Sequence, residues 1–173
     1  MTRRLLPLVL AILSLIATAA CGYHVLGNAP TTYQSQAKLA IPLFTNHSNE
    51  VGLEAIFANA FINTFSHSQV ARLTAQEDQA DVILQGDLTT VEHTSVAYRD
   101  IDQSLVRRVT LTINLVLKER QSGKVLWKDV KVIDADYVVR ADYHYGEATR
   151  QMAINKAAAT MAQRVHDEIL MIL

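Results

Sequence analysis

The sequence predicts an α+β fold, a two-layer sandwich in which two amphipathic helices pack on one face of a mostly antiparallel sheet of about four strands. Hydrophobic residues recur at three- and four-residue steps in two stretches, residues 50–66 and residues 146–173. Between them the period changes to two, as expected of strands that bury one face. The 173 residues suffice for one domain with a sizeable core.

The first twenty residues predict a signal peptide that is removed on export. Arg3 and Arg4 give a charged start, residues 5–16 are almost wholly apolar, and small residues lead up to Cys21. The apolar run is shorter than the ~20 residues of a membrane-spanning helix. We therefore expect a cleaved segment 1–20 and a mature chain that begins at Cys21.

Cys21 is the only cysteine, so no disulfide forms within the chain. Thr18-Ala19-Ala20-Cys21 resembles the bacterial lipobox, in which the thiol takes a diacylglycerol before cleavage, although Thr18 replaces the usual leucine. The alternative is a chance cysteine after an ordinary cleavage site. The resemblance implies covalent diacylglycerol and acyl (palmitate) chains on Cys21, and each buried CH₂ contributes ~0.8 kcal/mol to membrane binding. Gly22, in place of the aspartate of inner-membrane lipoproteins, favours the outer membrane.

Residues 21–36 then form a lipidated N-terminus and tether, and residues 37–173 form a single domain. Losing Arg3 and Arg4 leaves 14 basic against 17 acidic residues, a net charge of −3. A nucleic-acid binder would normally be strongly basic, so this class is disfavoured. No second long apolar run occurs, and the lipid is the expected membrane attachment.

The first elements of the domain are a strand and a helix. Residues 38–44 alternate as a strand, with Pro42 indicating an edge or a strand end. Ser48 or Asn49 is expected to cap a helix over residues 50–66. Its three phenylalanines could line a ligand groove, but an aromatic stripe at helical spacing is more typical of core.

The remaining elements are strands followed by a terminal helix. Residues 70–73 predict a short strand, and long strands are expected over 81–98, 105–118 and 125–133. Gly123 can take the positive φ that a hairpin turn requires. Residues 134–145 have no clear pattern. Because alternate residues of the long strands are polar, one sheet face is expected to be exposed.

No enzyme signature is present, which favours a binding protein. The six histidines are scattered without metal-ligand spacing, and no nucleophile elbow or phosphate loop occurs. Two acid pairs could supply a general acid and base, but acids at this spacing are usually solvated turn formers. The pairs are Asp100 with Asp102 and Asp134 with Asp136. We expect no metal and no cofactor other than the lipid.

Basic residues on or beside the predicted strands suggest an anionic partner. Arginine forks match phosphate oxygens, so a lipid head group is one candidate. Alternatively, the charges keep exposed strands from pairing with other chains. The residues concerned are Arg99, Arg107, Arg108, Lys118, Lys128, Lys131 and Arg140.

The mature sequence resembles the LptE family of lipopolysaccharide-assembly lipoproteins. The resemblance lies in Cys21-Gly22-Tyr23-His24, in the segment 40–46 with its following helix, and in the long strand pair before an alanine-rich helix. It implies two helices on a mostly antiparallel sheet, at the periplasmic face of the outer membrane. It also implies binding to the LptD β-barrel and to lipopolysaccharide, through Arg99 in Tyr98-Arg99-Asp100 and more loosely through Arg140.

The segment 40–46 also resembles other outer-membrane lipoproteins, which activate peptidoglycan synthases or build curli-type secretion pores. Such a protein would bind proteins or self-assemble instead of binding glycolipid. A cell-wall hydrolase is a third, weaker alternative.

Overall fold

The computed structural model describes residues 36–100, 103–139 and 143–173. The predicted signal peptide, Cys21 and most of the tether lie outside the described residues, as do Asp102 and Arg140. Neither described helix is long and apolar enough to cross a membrane. The described strands are Ala37–Ala40 (β1), Thr45–Asn46 (β2), Ala71–Thr74 (β3), Val82–Asp100 (β4), Gln103–Glu119 (β5) and Val125–Val138 (β6). The helices are Leu53–Ser66 (α1) and Tyr143–Ile169 (α2), with a 3₁₀ turn at Glu77–Gln79.

The strands form one mixed sheet in the order β3-β1-β4-β5-β6, and β2 pairs separately with β4. β4, β5 and β6 are antiparallel, as predicted. However, β1 runs parallel to both β3 and β4. The prediction of about four mostly antiparallel strands is therefore wrong in strand number and in this parallel half. Parallel neighbours need a crossover connection, and α1 supplies the one between β1 and β3.

Both helices pack on one face of the sheet, which confirms the predicted two-layer arrangement. Phe57, Phe61 and Phe65 of α1 are each at most 1% exposed, so the phenylalanine stripe is core and not a groove. Alternate residues of β5 from Val109 to Leu117 are fully buried beneath the helices. α2 covers them with Ile154, Ala158, Met161, Ala162, Val165 and Ile169. The opposite, outer face of β4–β6 stays exposed or half-buried along most of its length.

α1 begins at Leu53, three residues later than predicted, and Gly52 is its N-cap with φ 94°. Of the two expected caps, Ser48 stabilises the preceding loop instead. Asn46 Oδ1 accepts hydrogen bonds from the Ser48 backbone N–H at 2.9 Å and from its hydroxyl at 2.7 Å. The Glu54 carboxylate accepts from the Asn46 side chain at 2.8 Å and from the Gly52 N–H. The pKa of Glu54 is lowered, most of all by a hydrogen bond from its own backbone N–H, then by Asn46, and least by Gly52.

β6 extends to Val138, five residues beyond the predicted end. Its two added acids lie on the outer face, opposite polar partners on β5. Thr110 Oγ1 donates to Asp134 at 2.8 Å, and Arg108 binds Asp136 with two hydrogen bonds, of 2.6 and 2.9 Å. Cross-strand pairing thus satisfies carboxylates that would disfavour a strand on propensity alone.

Candidate functional site at the distal end of the sheet

β4 and β5 continue well past the helices, and we call this extension the distal hairpin (residues 92–100 and 103–108). The buried alternation of β5 ends at Val109. Among the described side chains of the distal hairpin, none is buried. The two strands stay paired to the pair Asp100 and Gln103. Residues 106–108 also pair with β6, and the last residues of β4 and the first residues of β5 continue beyond it as a two-stranded tip. An extension without a core of its own is typical of a surface that contacts something outside the domain.

The distal hairpin and the neighbouring end of β6 expose large apolar side chains. Tyr98 is 59% exposed and Val96 48%. Leu105, predicted to share the buried face of its strand, is 38% exposed because the helices do not reach it, and Val138 on β6 is equally exposed. Register shifts after Ser95, Ala97 and Tyr98 re-aim side chains along the arm. Leu105 lies on the helix-side face of the sheet and Val138 on the outer face, so both faces of this end expose apolar side chains that a lipid or a protein wall can cover.

Two arginines on adjacent positions of β5 differ in their electrostatic state. Arg108 is held by Asp136, and one of its nitrogens lies 3.6 Å from Asp134. The hydrogen bonds between Arg108 and Asp136 raise the pKa of the guanidinium and lower the pKa of the carboxyl. Arg107 is exposed, and within the described residues it has no carboxylate partner. Arg107 is therefore the cation of this pair that can bind an external anion.

The structure describes the two predicted lipopolysaccharide-binding residues only in part. Arg99 belongs to β4 at the end of the distal hairpin, and its side chain lies outside the described residues. Arg140 itself is outside them. The two residues before it are placed, however: Val138 pairs with Val106, and the Val139 N–H donates to the Leu105 carbonyl at 2.9 Å. The chain thus approaches position 140 at the same end of the sheet.

An ion network on the helix side fixes the root of the distal hairpin. Arg150 of α2 contacts Glu50 at 2.5 Å and Glu147 at 2.9 Å. The second Glu50 oxygen lies 2.5 Å from Nε2 of His93 on β4. Arg150 donates hydrogen bonds to Glu147, and this interaction contributes most to raising the pKa of Arg150 and to lowering that of Glu147. Sequence reasoning missed this network because its members are far apart in the chain and follow no motif.

The other candidate chemical groups whose side chains are described have structural partners. Asp134 and Asp136 serve as partners of Thr110 and Arg108, not as an acid–base pair. His47 contacts Asp87 at 3.1 Å, and His166 contacts Asp167 and Ser68. In the part of the chain that the structure describes, no three histidine, cysteine or acidic side chains are grouped to hold a metal ion.

The fold occurs in several solved bacterial structures. A protein from Xanthomonas campestris has a TM-score of 0.58 at 13% identity, with 84% of this chain and 90% of that chain covered. Rare lipoprotein B from Shewanella oneidensis has a TM-score of 0.51 at 8% identity, covering 77% and 93%. PelC from Paraburkholderia phytofirmans, a dodecamer, has a TM-score of 0.50 at 12% identity, covering 79% and 93%. Identities this low show likeness of fold alone.

Sequence comparison gives the family. No curated protein matches the chain in sequence. The family model described as LptE, lipopolysaccharide-assembly, matches residues 36–169. This match covers well over half of the chain and both packed layers of the fold, from β1 to the end of α2. The chain therefore belongs to the LptE family of lipopolysaccharide-assembly proteins.

Proposed function

We propose that this chain is an outer-membrane lipoprotein that binds, plugs and stabilises an LptD-type β-barrel and contacts lipopolysaccharide with its distal hairpin. The family match over residues 36–169 carries the proposal. The role is one of binding and delivery, without catalysis and without a cofactor beyond the lipid on Cys21. Signal peptide 1–20, tether 21–36 and domain 37–173 are part of the same proposal.

The direction of the sheet supports this role. The tether joins the domain at Ala37, and β1 pairs with β4 at its first residues, Val82 and Ile83. The tip of the distal hairpin lies 18 residues further along β4, which corresponds to at most about 60 Å of extended chain. A lipid at Cys21 would thus tie the domain to the periplasmic face of the membrane through the chain that enters it at Ala37. The apolar and cationic end would be free to reach into a barrel.

The chemistry of the far end fits lipopolysaccharide. Acyl chains can cover Val96, Tyr98 and Leu105, which are all exposed. Arginine binds phosphate with two parallel hydrogen bonds, and Arg99 and Arg107 lie on the two strands of this arm. Arg140 would add a third cation from the segment that follows β6. Anchoring raises the effective concentration of the domain near an embedded barrel, so each contact can be weak.

Binding by Arg99 is tested with purified lipopolysaccharide and the full-length lipidated protein in mild detergent. Arg99→Asp should weaken binding at least several-fold, because it replaces a phosphate-binding cation with an anion. Arg72→Asp is the matched control, since Arg72 is an exposed strand arginine on β3, away from the distal hairpin. Equal affinities for Arg99→Asp and wild type would remove Arg99 from the binding site.

Membrane and barrel partners are tested by pull-down in the same detergent, with mass spectrometry of proteins and lipids. A stable complex with a large β-barrel and co-purified glycolipid is expected. A ring of identical chains or a peptidoglycan-synthase partner would instead support the alternative, a lipoprotein adaptor of another envelope machine. The mass of the mature N-terminus should show a lipidated Cys21, and Cys21→Ser should abolish both the lipid and membrane retention.

A further inference from the structure

β6 is an edge strand, and no proline or glycine interrupts it. Within the described residues, 13 of its 14 positions pair with β5, all on one side, and Leu126 is left out at a register shift. Edge strands present unpaired N–H and C=O groups, and proteins normally protect them with prolines, bulges, charges or a covering segment. Some of these devices protect β6 at its ends, and its middle is left open.

The register identifies the backbone groups that point away from β5. The Val139 N–H donates to the Leu105 carbonyl, so this is a hydrogen-bonded pair of the antiparallel ladder. Hydrogen-bonded and non-hydrogen-bonded pairs alternate along such a ladder, so the odd-numbered residues at this end of β6 direct their backbone N–H and C=O groups to β5. Val132, Asp134 and Asp136 therefore direct their N–H and C=O groups to the free edge. The Val138 carbonyl follows the same rule, because it accepts a hydrogen bond from Thr149 Oγ1 of α2 at 2.8 Å.

Both ends of this stretch are closed by contacts with the rest of the chain. At the distal end, the Thr149 hydroxyl donates a hydrogen bond to the carbonyl of Val138, which is therefore not available to a partner strand. At the other end, the inward-facing Lys131 contacts Glu168 of α2 at 2.5 Å and Asp129 at 2.6 Å. An inward-pointing charge is one of the devices that protect an edge. What remains between them is an open window from Val132 to Asp136.

A groove runs beside this window, between β6 and α2, with a volume of about 450 Å³. Small side chains of α2 form its wall, and Lys156 and Arg164 stand at its rim. Within the described residues neither cation has a carboxylate partner. On the outer face, Arg108 forms an ion pair with Asp136 and lies 3.6 Å from Asp134, which also accepts a hydrogen bond from Thr110. The wall consists of Ala153, Ala157 and Thr160.

We propose that this window accepts an extended strand of a partner protein, with acidic side chains turned towards α2. An extended peptide can add a strand to an open sheet edge through main-chain hydrogen bonds, and the groove leaves room for it. Its carboxylates would meet Lys156 and Arg164, which are eight residues apart in the helix, or about 12 Å. At ~3.3 Å per strand residue, the two carboxylates lie about four positions apart. The outward side chains, beside the exposed Val132, are apolar.

The proposal stands on the edge and the groove, independently of lipopolysaccharide binding. Its test uses the full-length lipidated protein in detergent and two blocked hexapeptides, one alternating valine with glutamate and one alternating valine with lysine. Amide hydrogen exchange is measured across residues 132–136. The glutamate peptide should slow exchange in this window several-fold, and the lysine peptide should not. Equal protection by the two peptides, or none by either, would overturn the proposal.

Two proline variants separate strand pairing from a general loss of structure. Val132→Pro removes an outward N–H inside the window, which an edge position tolerates, and should abolish peptide protection. Val130→Pro is the matched control: this valine is 53% exposed against 57% for Val132, and its N–H bonds only to the Asp129 side chain. Peptide protection should persist in the control. If the peptide still protects the window in both variants, backbone pairing at Val132 is contradicted.

Charge reversal tests the chemistry of the partner. The double variant Lys156→Glu, Arg164→Glu should prefer the lysine peptide, whereas unchanged selectivity would overturn the acidic assignment. Slow exchange of the window without any peptide would also overturn the proposal. If that protection disappears on dilution, the occupant is a second copy of this chain. If it persists, the occupant is another segment of the same chain, such as residues 22–35.

Discussion

Arg150 of α2 bonds to Glu50, a residue one hundred positions earlier, with a nitrogen–oxygen distance of 2.5 Å. The same guanidinium binds Glu147 one turn before it, and Glu50 in turn contacts His93 on β4. A single side chain therefore ties the loop before α1, the start of α2 and the root of the distal hairpin together. Its own exposed fraction is 22% and that of Glu50 is 23%, so solvent screens the pair only in part.

We expect Arg150→Ala to destabilise the fold by about 1–3 kcal/mol, the usual range for lost hydrogen bonds to charged groups. The variant leaves Glu50 and Glu147 close together without their shared cation. The measurement is urea unfolding of the full-length protein. Arg164→Ala on the same helix is the control, since Arg164 is unpaired within the described residues, and should change stability by at most about 0.5 kcal/mol. Equal effects of the two variants would show that the network contributes little.

Gly86 on β4 lies directly against the buried ring of Phe44. A Cβ at this position would overlap ring atoms of Phe44, which is itself packed edge-on against Phe61 at a centroid distance of 5.2 Å. We expect Gly86→Ala to cost about 1–3 kcal/mol through overpacking. In the helix, Gly146→Ala meets no atom within 4 Å and should stabilise by about 0.5–1 kcal/mol.

A double variant checks the cause assigned to Gly86. Phe44→Leu should itself destabilise, because it removes buried ring volume. Combined with Gly86→Ala, however, its cost should be less than additive, since the smaller side chain leaves room for the new Cβ. Strict additivity in urea unfolding would mean that the methyl group added by Gly86→Ala does not act through the Phe44 ring.

The ion pairs predict a specific response to acid. Arg108 lowers the pKa of Asp136 below the ordinary 3.8, and Arg150 lowers that of Glu147 below 4.5. A carboxyl with a depressed folded pKa contributes stability above its unfolded pKa and loses it as pH falls through the folded value. These contributions should therefore be constant above about pH 5 and decline below about pH 4.5. Asp136→Asn should be less stable than wild type at pH 7, and the difference should shrink as the pH falls below 3.8.

The long-range strand pairing shows what the sequence could not predict about the fold. The antiparallel meander β4–β5–β6 follows from alternation and from a turn at Gly123, whose φ is 70°. The parallel pairs of β1 carry no local signal, because their partners are joined through a helix or lie more than 40 residues away. The start of α1 differs from its prediction for a related reason. The Ser48 hydroxyl, which sequence alone would assign as a helix cap, instead donates a hydrogen bond to Asn46 in the preceding loop.

For the candidate site, the sequence predicted which residue types are present, but not which of them are ion-paired or exposed. Arg107 and Arg108 are neighbours of the same kind, and only strand register makes one the partner of Asp136 and leaves the other available. Likewise, Leu105 continues the apolar alternation of Val109, yet it lies beyond the helices that bury the rest. The distal hairpin is exposed because the helices end before it. The sequence of the hairpin itself does not indicate where the helices end.

That exposure gives a last prediction, which rests on the proposed function. Because Val96 and Leu105 are 48% and 38% exposed, replacing both with serine should leave stability within about 0.5 kcal/mol. The two side chains can bury further apolar area on binding. We therefore expect the double variant to bind lipopolysaccharide about tenfold more weakly in detergent, which corresponds to ~1.4 kcal/mol. Val125→Ser is the control, since Val125 is 52% exposed and pairs with Lys118 at the other end of β5. Weakening by the control to the same degree would mean that the apolar end of the hairpin has no special part in binding.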